Sequence, residues 1–496
     1  MEDPNVSKKS DTLQEVKYIP NDSPTVQKLK PEEAPADRKH DTFFLYISVL
    51  LTQLPIIVSG ASTVWTSPAL LKLKSNDTDI NPLGRPITTV EISMISGLPV
   101  IFGLVGSMLL PKLSDIIGRK KQMLSMGFFV LVSGVALAFS NRVIHIVISK
   151  CLLGTALYGC YAVVPIFVAE ICENHNRGKF GCFLGLAHQI GHLFAYLVGP
   201  VFSIKYFTLI ITSPALVYVL LFFIVPESPI YLLNHGKERE CREALRKLRS
   251  NKTETELDDD LEKMKMDLNA TASAKKATVM DIFRVRENRI ALMLALLPLM
   301  IQHFSGVTII MGFLAPLFNA AGTGLSGNTV AILVSTIKTS SFLFTSFVVE
   351  RFGRRRMLLF SSTFTGIPLF ALGVYFYLQH VHSPYLQYIQ WLPLVGIIMN
   401  VIFYATGIGP IPMAITSELF PLELRAASSC ILSGAVNFVI FALISAFPIV
   451  SEVLGMHWCV WMFSGSCFIG AVLIYFFLPE TKGKSFAEIQ QMLKKF

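Results

Sequence analysis

Twelve stretches of this chain are each long and apolar enough to cross a bilayer, and that repetition limits the fold more than any single motif. A hydrocarbon core of about 30 Å takes about 20 helical residues. The stretches lie near 42–66, 88–111, 122–140, 143–171, 179–204, 206–225, 289–319, 328–349, 357–379, 388–415, 427–450 and 457–478; they are spans 1 to 12 below. In lipid each backbone polar group must find its partner within the segment, so the spans are predicted to be helices. Composition agrees. Hydrophobic residues make up 52% and charged residues 16% of the 496, whereas a soluble exterior needs about a quarter to a third charged. A cytosolic enzyme, a secreted disulfide scaffold and a nucleic-acid binder are all excluded.

The net charge of +9 therefore reports topology. Of 43 Lys and Arg, 36 fall on one side of the spans, five on the other (Lys72, Lys74, Arg85, Arg142, Lys205) and two, Lys150 and Lys338, within spans. By the positive-inside rule the rich side is cytoplasmic, with both termini on it. The four Trp (65, 391, 458, 461) fall near outer span ends, where an aromatic belt is expected. Residues 1–41, polar and rich in Pro, read as a disordered cytoplasmic tail without a signal peptide. Eight scattered Cys fit buried thiols better than disulfides. Asn76-Asp77-Thr78 is a glycosylation sequon in the first outer loop. Residues 226–287 form a polar cytoplasmic linker, with short amphipathic helices expected at 238–248 and 255–268; residues 479–496 form a cytoplasmic tail.

The chain also repeats itself. Asp115-Ile-Ile-Gly-Arg-Lys-Lys121 recurs as Glu350-Arg-Phe-Gly-Arg-Arg-Arg356. Glu170 and Arg177 recur as Glu418 and Arg425, and Pro226-Glu227-Ser228 as Pro479-Glu480-Thr481. Three motifs in one order divide the chain into six-span halves, 42–225 and 288–478, an arrangement used by transporters.

These motifs, with Pro226-Glu-Ser-Pro-Ile-Tyr-Leu232, Gly409-Pro-Ile-Pro412 and Pro479-Glu-Thr-Lys-Gly483, resemble the sugar-porter family of the major facilitator superfamily over residues 42–490. Trp65-Thr-Ser-Pro-Ala-Leu70 is similar to its arthropod facilitated trehalose transporter branch. The resemblance implies an all-α integral membrane protein of twelve helices in two six-helix repeats. It also implies that Asp115, Arg119, Glu170, Arg177, Glu350, Arg354, Glu418 and Arg425 form an inner gate, although Pro111 replaces the usual Gly at the first motif. Carboxylate–guanidinium pairs at repeated places are expected to couple the halves on the cytoplasmic side.

Polar residues in mid-span are expensive in lipid, so each is a site candidate. The resemblance places Gln189, Gln302, His303, Thr308, Lys338, Met413 and Asn437 at sugar-contact positions. Of these, Gln189 and Gln302 keep the usual residue. His303 stands where Gln is usual, Thr308 and Lys338 where Asn is usual or common, and Met413 where Trp is usual. Lys338 is a fixed cation near mid-depth and points to a wet cavity, to an anionic or acid-bearing substrate, or to a block on sugar. His188 and His192 are spaced to share a helix face, but no matching third ligand accompanies them. Ser305-Gly306 and Gly407–Pro412 are expected to break spans 7 and 10.

Span 1 contains no Asp or Glu and no phosphate-binding loop occurs, so downhill uniport without a cofactor is expected. The prediction is a non-enzymatic carrier of a hexose or trehalose, in the plasma membrane, with sugar and the lipid bilayer as its partners and no nucleic acid. Monomeric function is compatible with this. The alternatives are a sensor or transport-dead homologue, a proton-coupled carrier, or a carrier of anionic sugars.

Overall fold

A computed structural model describes residues 41–496, except 174–175, 274–278, 323, 421, 481, 483–485 and 495–496. The expected disordered tail lies outside the described residues, as do some helical side chains, among them Arg177, Glu350 and Arg425. Spans 1 to 6 are the helices Phe43–Val64, Thr89–Ile117, Arg119–Ala138, Val143–Ile171, Arg177–Val198 and Ile204–Leu221. Span 7 is broken into Arg286–Phe304, Val307–Gly312 and Leu314–Ala321, and span 10 into Leu392–Thr406 and Ile411–Leu419. Spans 8, 9, 11 and 12 are Gly327–Phe352, Arg354–His380, Leu422–Val453 and Met456–Phe477. Among the described residues eleven helices are long and apolar enough to cross a membrane. Gly327–Phe352, 26 residues long, holds the twelfth position.

The sequence repeat is a packing repeat. Spans 2 and 4, 3 and 4, 3 and 6, and 1 and 5 pack together; so do their counterparts 8 and 10, 9 and 10, 9 and 12, and 7 and 11. The halves meet through span 2 against span 11 and span 5 against span 8, two pairs that the repeat exchanges. Small residues permit this closeness: a Cβ on Gly97 in span 2 would fall 1.8 Å from Ser445 Oγ in span 11. Spans 3, 6, 9 and 12 expose Phe129, Leu220, Phe370 and Phe476, as lipid-facing helices do. This is the twelve-helix fold that the repeats imply.

Two tight corners show how sequence sets this arrangement. A single residue, Gly118, separates spans 2 and 3, with φ 104°; Gly353 does the same between spans 8 and 9, with φ 89°. Only glycine adopts such angles readily. Each corner is covered by a carboxylate from the half's last motif. Glu227 accepts from the Lys120 backbone N–H at 2.9 Å, and Glu480 from Arg354 N–H at 2.9 Å and Arg355 N–H at 3.1 Å. An anion at a helix start satisfies open N–H groups and complements the dipole, which gives the Pro-Glu-Ser/Thr motif its structural role.

The linker contains Pro229–Asn234, Glu238–Leu248, Glu254–Ser273 and Val279–Arg284, so its helices form as expected, with two more added. It has its own small core, including Leu232, Cys241, Leu245 and Leu257. It is tied to the first half: Thr42 Oγ1 donates to Leu248 O at 2.6 Å, and Glu173 pairs with Arg249 at 3.2 Å and Lys252 at 2.6 Å. Lys252 also meets Asp260 at 2.8 Å. Burial pushes the Asp260 carboxyl up, but the bond from Lys252 and the charge of Arg249 hold it below the usual range.

Two expectations need correction. Trp65 is 1% exposed and stacks on Phe207, its indole N–H donating to Thr208 Oγ1 at 2.9 Å. It is a bundle residue and not part of an interfacial belt, because span 1 continues past it as the helix Thr66–Leu73. The chain after Pro479 is also more than a tail. Its helix Phe486–Lys494 packs on spans 7 and 10 and buries Ile489 and Leu493.

Candidate functional site

The charged repeats lie together on one face, called here the motif face. Arg119 grips Glu170 with two nitrogens, at 3.1 and 3.3 Å, and also contacts Asp115. Arg354 reaches Glu418 Oε1 through both Nε and Nη2 at 3.2 Å. Arg119 and Glu170 are shielded, each side chain about one-tenth exposed; the second pair is more open. Both pairs join residues of one half: span 3 to span 4, and span 9 to span 10. The expected coupling between halves would involve Arg177, Glu350 and Arg425, whose side chains lie outside the described residues.

The opposite face is joined across the halves. Ser67 Oγ accepts from the Ala315 backbone N–H at 2.9 Å, and the buried Tyr196 hydroxyl donates to Met311 O. Both bonds connect the first half to the outer turns of the broken span 7. Beside them Lys150 is buried in span 4, donates to Thr66 Oγ1 at 3.1 Å and lies 4.8 Å from the Trp65 ring. The indole face and the hydroxyl are the ammonium's partners there.

Between the two faces, the breaks in spans 7 and 10 meet. Span 7 ends its first helix at Phe304, Ser305 Oγ donates to Gln302 O at 2.7 Å, and Gly306 turns left-handed at φ 73°. The ring of Phe463 fills the space where a Cβ would stand on Gly306. Span 10 opens at Gly407–Pro410. There Ser361 Oγ accepts from Ile408 N–H at 2.9 Å and donates to Phe403 O at 2.6 Å. Gln302 Nε2 donates to Gly409 O at 2.7 Å. Thus side chains of spans 7 and 9 re-satisfy the backbone freed in span 10, the condition for irregular chain at membrane depth. Ser361 is a contributor that sequence reasoning missed; its position inside span 9 resembles any small packing residue.

The other candidates surround this centre. Gln189 is buried in span 5, its side-chain oxygen unpartnered, while its backbone carbonyl accepts from Thr339 of span 8 at 3.5 Å. His303 Nδ1 is buried and unpartnered, and Thr308 is half-buried two residues beyond Gly306. Asn437 is buried in span 11, Lys338 is buried in span 8, and Met413 is 61% exposed on the second helix of span 10. His188 packs edge-on to Tyr161 and lies 4.7 Å from the His192 ring, centroid to centroid. The structure thus brings Gln302 directly to the helix breaks. It places Gln189 and Lys338 on the two facing helices of one inter-half contact. Asn76 is exposed in the loop after span 1, where a glycan would be accessible.

Comparison with known proteins follows the same lines. The family described as "Sugar (and other) transporter" matches residues 46–493. The chain is similar to the facilitated trehalose transporter Tret1 of Culex quinquefasciatus, 25% identical with 91% of this chain and 86% of that protein covered. It is also similar to the Tret1-2 homolog of Drosophila simulans, 26% identical with 93% of each covered. Among solved structures, the inward-open xylose transporter XylE of E. coli matches with a TM-score of 0.75, at 20% identity over 90% of this chain and 99% of that one. The proton:xylose symporter XylE bound to 6-bromo-6-deoxy-D-glucose matches with a TM-score of 0.70, at 21% identity over 92% of this chain and all of that one.

Proposed function

Because this chain belongs to the Sugar (and other) transporter family, we propose that it carries a small carbohydrate, a hexose or trehalose, downhill across the plasma membrane by alternating access. The observation that carries this reading is the pair of crossed contacts, span 2 with 11 and span 5 with 8, around the two broken helices. Two bodies joined at exchanged places rock about the centre between them. Gln189, Gln302, His303, Thr308, Met413 and Asn437 supply the polar and apolar groups that hydroxyls and a ring face require.

The motif face is taken as cytoplasmic, with the N- and C-termini on that side. The Ser67–Ala315 and Tyr196–Met311 bonds then shut the outer side, an arrangement that supports an inward-facing state. Arg119–Glu170 and Arg354–Glu418 are the parts of an inner gate held within each half, ready to receive Arg177, Glu350 and Arg425 when the cytoplasmic side closes. Uniport is supported by chemistry. Residues 42–75, 92–114, 120–169, 178–226, 288–349, 357–417, 424–451 and 453–479 contain no Asp or Glu, so the interior has no carboxylate to carry a proton.

Uptake of radiolabelled trehalose, glucose and xylose into proteoliposomes tests the proposal. Saturable uptake that equilibrates and is indifferent to a pH gradient is the expected result. Binding without uptake would establish the sensor reading, and accumulation driven by a pH gradient would establish symport.

A further inference from the structure

Lys338 stands out from every other charge in the molecule. It is 5% exposed at the middle of span 8, and no hydrogen-bond or ion-pair partner for it exists among the described residues. Facing it across the inter-half contact, His192 is 4% exposed with neither ring nitrogen partnered, and Gln189 is 7% exposed with its side-chain oxygen unpartnered. Thr339, next to Lys338, donates to the Gln189 carbonyl at 3.5 Å, and the His188 and His192 rings on that same helix of span 5 lie 4.7 Å apart, so these groups gather at one contact between spans 5 and 8. Buried polar groups in native proteins are almost always satisfied. The unpartnered atoms of His192 and Gln189 on span 5, set across from a buried lysine of span 8, point to a ligand.

The sequence also identifies the sign of that ligand. The membrane interior has no Asp or Glu, so no protein carboxylate at this depth is available to Lys338. Lys150 makes the contrast plain. It faces the same shortage, and an indole ring and a hydroxyl meet its ammonium. Among the described residues Lys338 has no such arrangement, so an anion that pairs with its ammonium would come from outside the protein.

We propose that Lys338, with His192 and His188 as neighbouring donors, forms an anion subsite that takes the carboxylate of the transported solute, making the cargo an acid-bearing sugar of the uronate type. The inference rests on the carrier reading above, keeps its small carbohydrate, and replaces the neutral hexose or trehalose by an acid-bearing sugar. The carboxylate accepts from the Lys338 ammonium and from one imidazole N–H, while the sugar hydroxyls extend toward Gln189 and the helix breaks. Because Lys338 belongs to one half and the histidines to the other, the anion bridges the two bodies that rock.

The test uses the purified full chain in detergent, titrated calorimetrically with glucuronate and with glucose. Wild type is expected to bind glucuronate about tenfold or more tightly than glucose, the scale of a buried charge partner. Lys338→Arg should keep that preference and Lys338→Asn should abolish it. Equal affinity of wild type for the two sugars overturns the proposal without recourse to any variant, and so does a preference that survives in Lys338→Asn. Chloride binding unaccompanied by a glucuronate preference overturns it as well. Parallel uptake in proteoliposomes separates the two readings. Lys338-dependent glucuronate binding without transport removes the carrier and leaves the anion subsite. Glucose transport without glucuronate preference does the reverse.

Discussion

At the scale of single residues, the positions that fix the backbone are those where a carboxylate or a missing side chain meets a sharp turn. Glu227 and Glu480 each cover the start of a long helix. Glu227→Ala and Glu480→Ala should each lower stability by about 1 kcal/mol, the typical worth of a helix N-cap. Thermal unfolding of the purified protein would measure this, and the distance between the sites predicts additive losses in the double variant. Gly306→Ala should be worse, since it combines a left-handed φ with the Phe463 ring. A loss exceeding about 1 kcal/mol is expected, together with loss of sugar uptake from the distorted break in span 7. Candidates such as Gln302 and Lys338 were legible in the sequence because a polar residue in an apolar run is conspicuous. Their partners were not. Gly409, which Gln302 bonds, is 107 residues away, and nothing local distinguishes its carbonyl from its neighbours. Trp65 was misplaced for a related reason: its position near a span end suggested an interface, and only the course of the chain beyond it shows the burial.

At the scale of elements, the twelve helices and the two breaks follow from hydropathy, Gly and Pro, because in lipid the backbone has few alternatives. The pieces outside the spans follow less well. The helix Phe486–Lys494 is short, and its two buried anchors, Ile489 and Leu493, gain meaning only from the surface they meet. Charge pairs help hold the linker together, and its Asp260 titrates. Asp260 is held below its ordinary value by Lys252 and Arg249, against burial, and Asp41 is held low, against burial, by bonds from Asn176, Lys179 and Tyr46. A carboxyl with a depressed folded-state value contributes stability above its unfolded value and loses it as pH falls through the folded one. As pH falls through the lowered Asp260 value, its contacts with Arg249 and Lys252 within the linker should therefore weaken, and with them the two side chains that reach Glu173 of the first half. Hydrogen exchange across Glu238–Leu248 should rise before exchange in the spans does, and unchanged protection would show that Leu245 and its neighbours hold the linker without these charges.

At the scale of the whole molecule, two halves touch at places that the repeat exchanges, and one face is bonded across the halves while the described pairs of the other are local. Breaking a local pair should shift the balance between the two closures. Glu418→Gln or Arg354→Ala should populate the form open at the motif face, raising alkylation of engineered cavity thiols from that side several-fold for about 1 kcal/mol of bias. Unaltered alkylation in both variants would assign these pairs to local stability alone.

The buried indole of Trp65 has a further use. It sits against the Lys150 ammonium and two residues from Ser67, whose hydroxyl holds the seal opposite the motif face, whereas Trp391 and Trp458 are half exposed or more. With the other three tryptophans replaced by Phe, this chromophore would make the protein its own optical gauge. Its emission should change each time the seal parts, so turnover could be followed in unlabelled protein as a flicker of light.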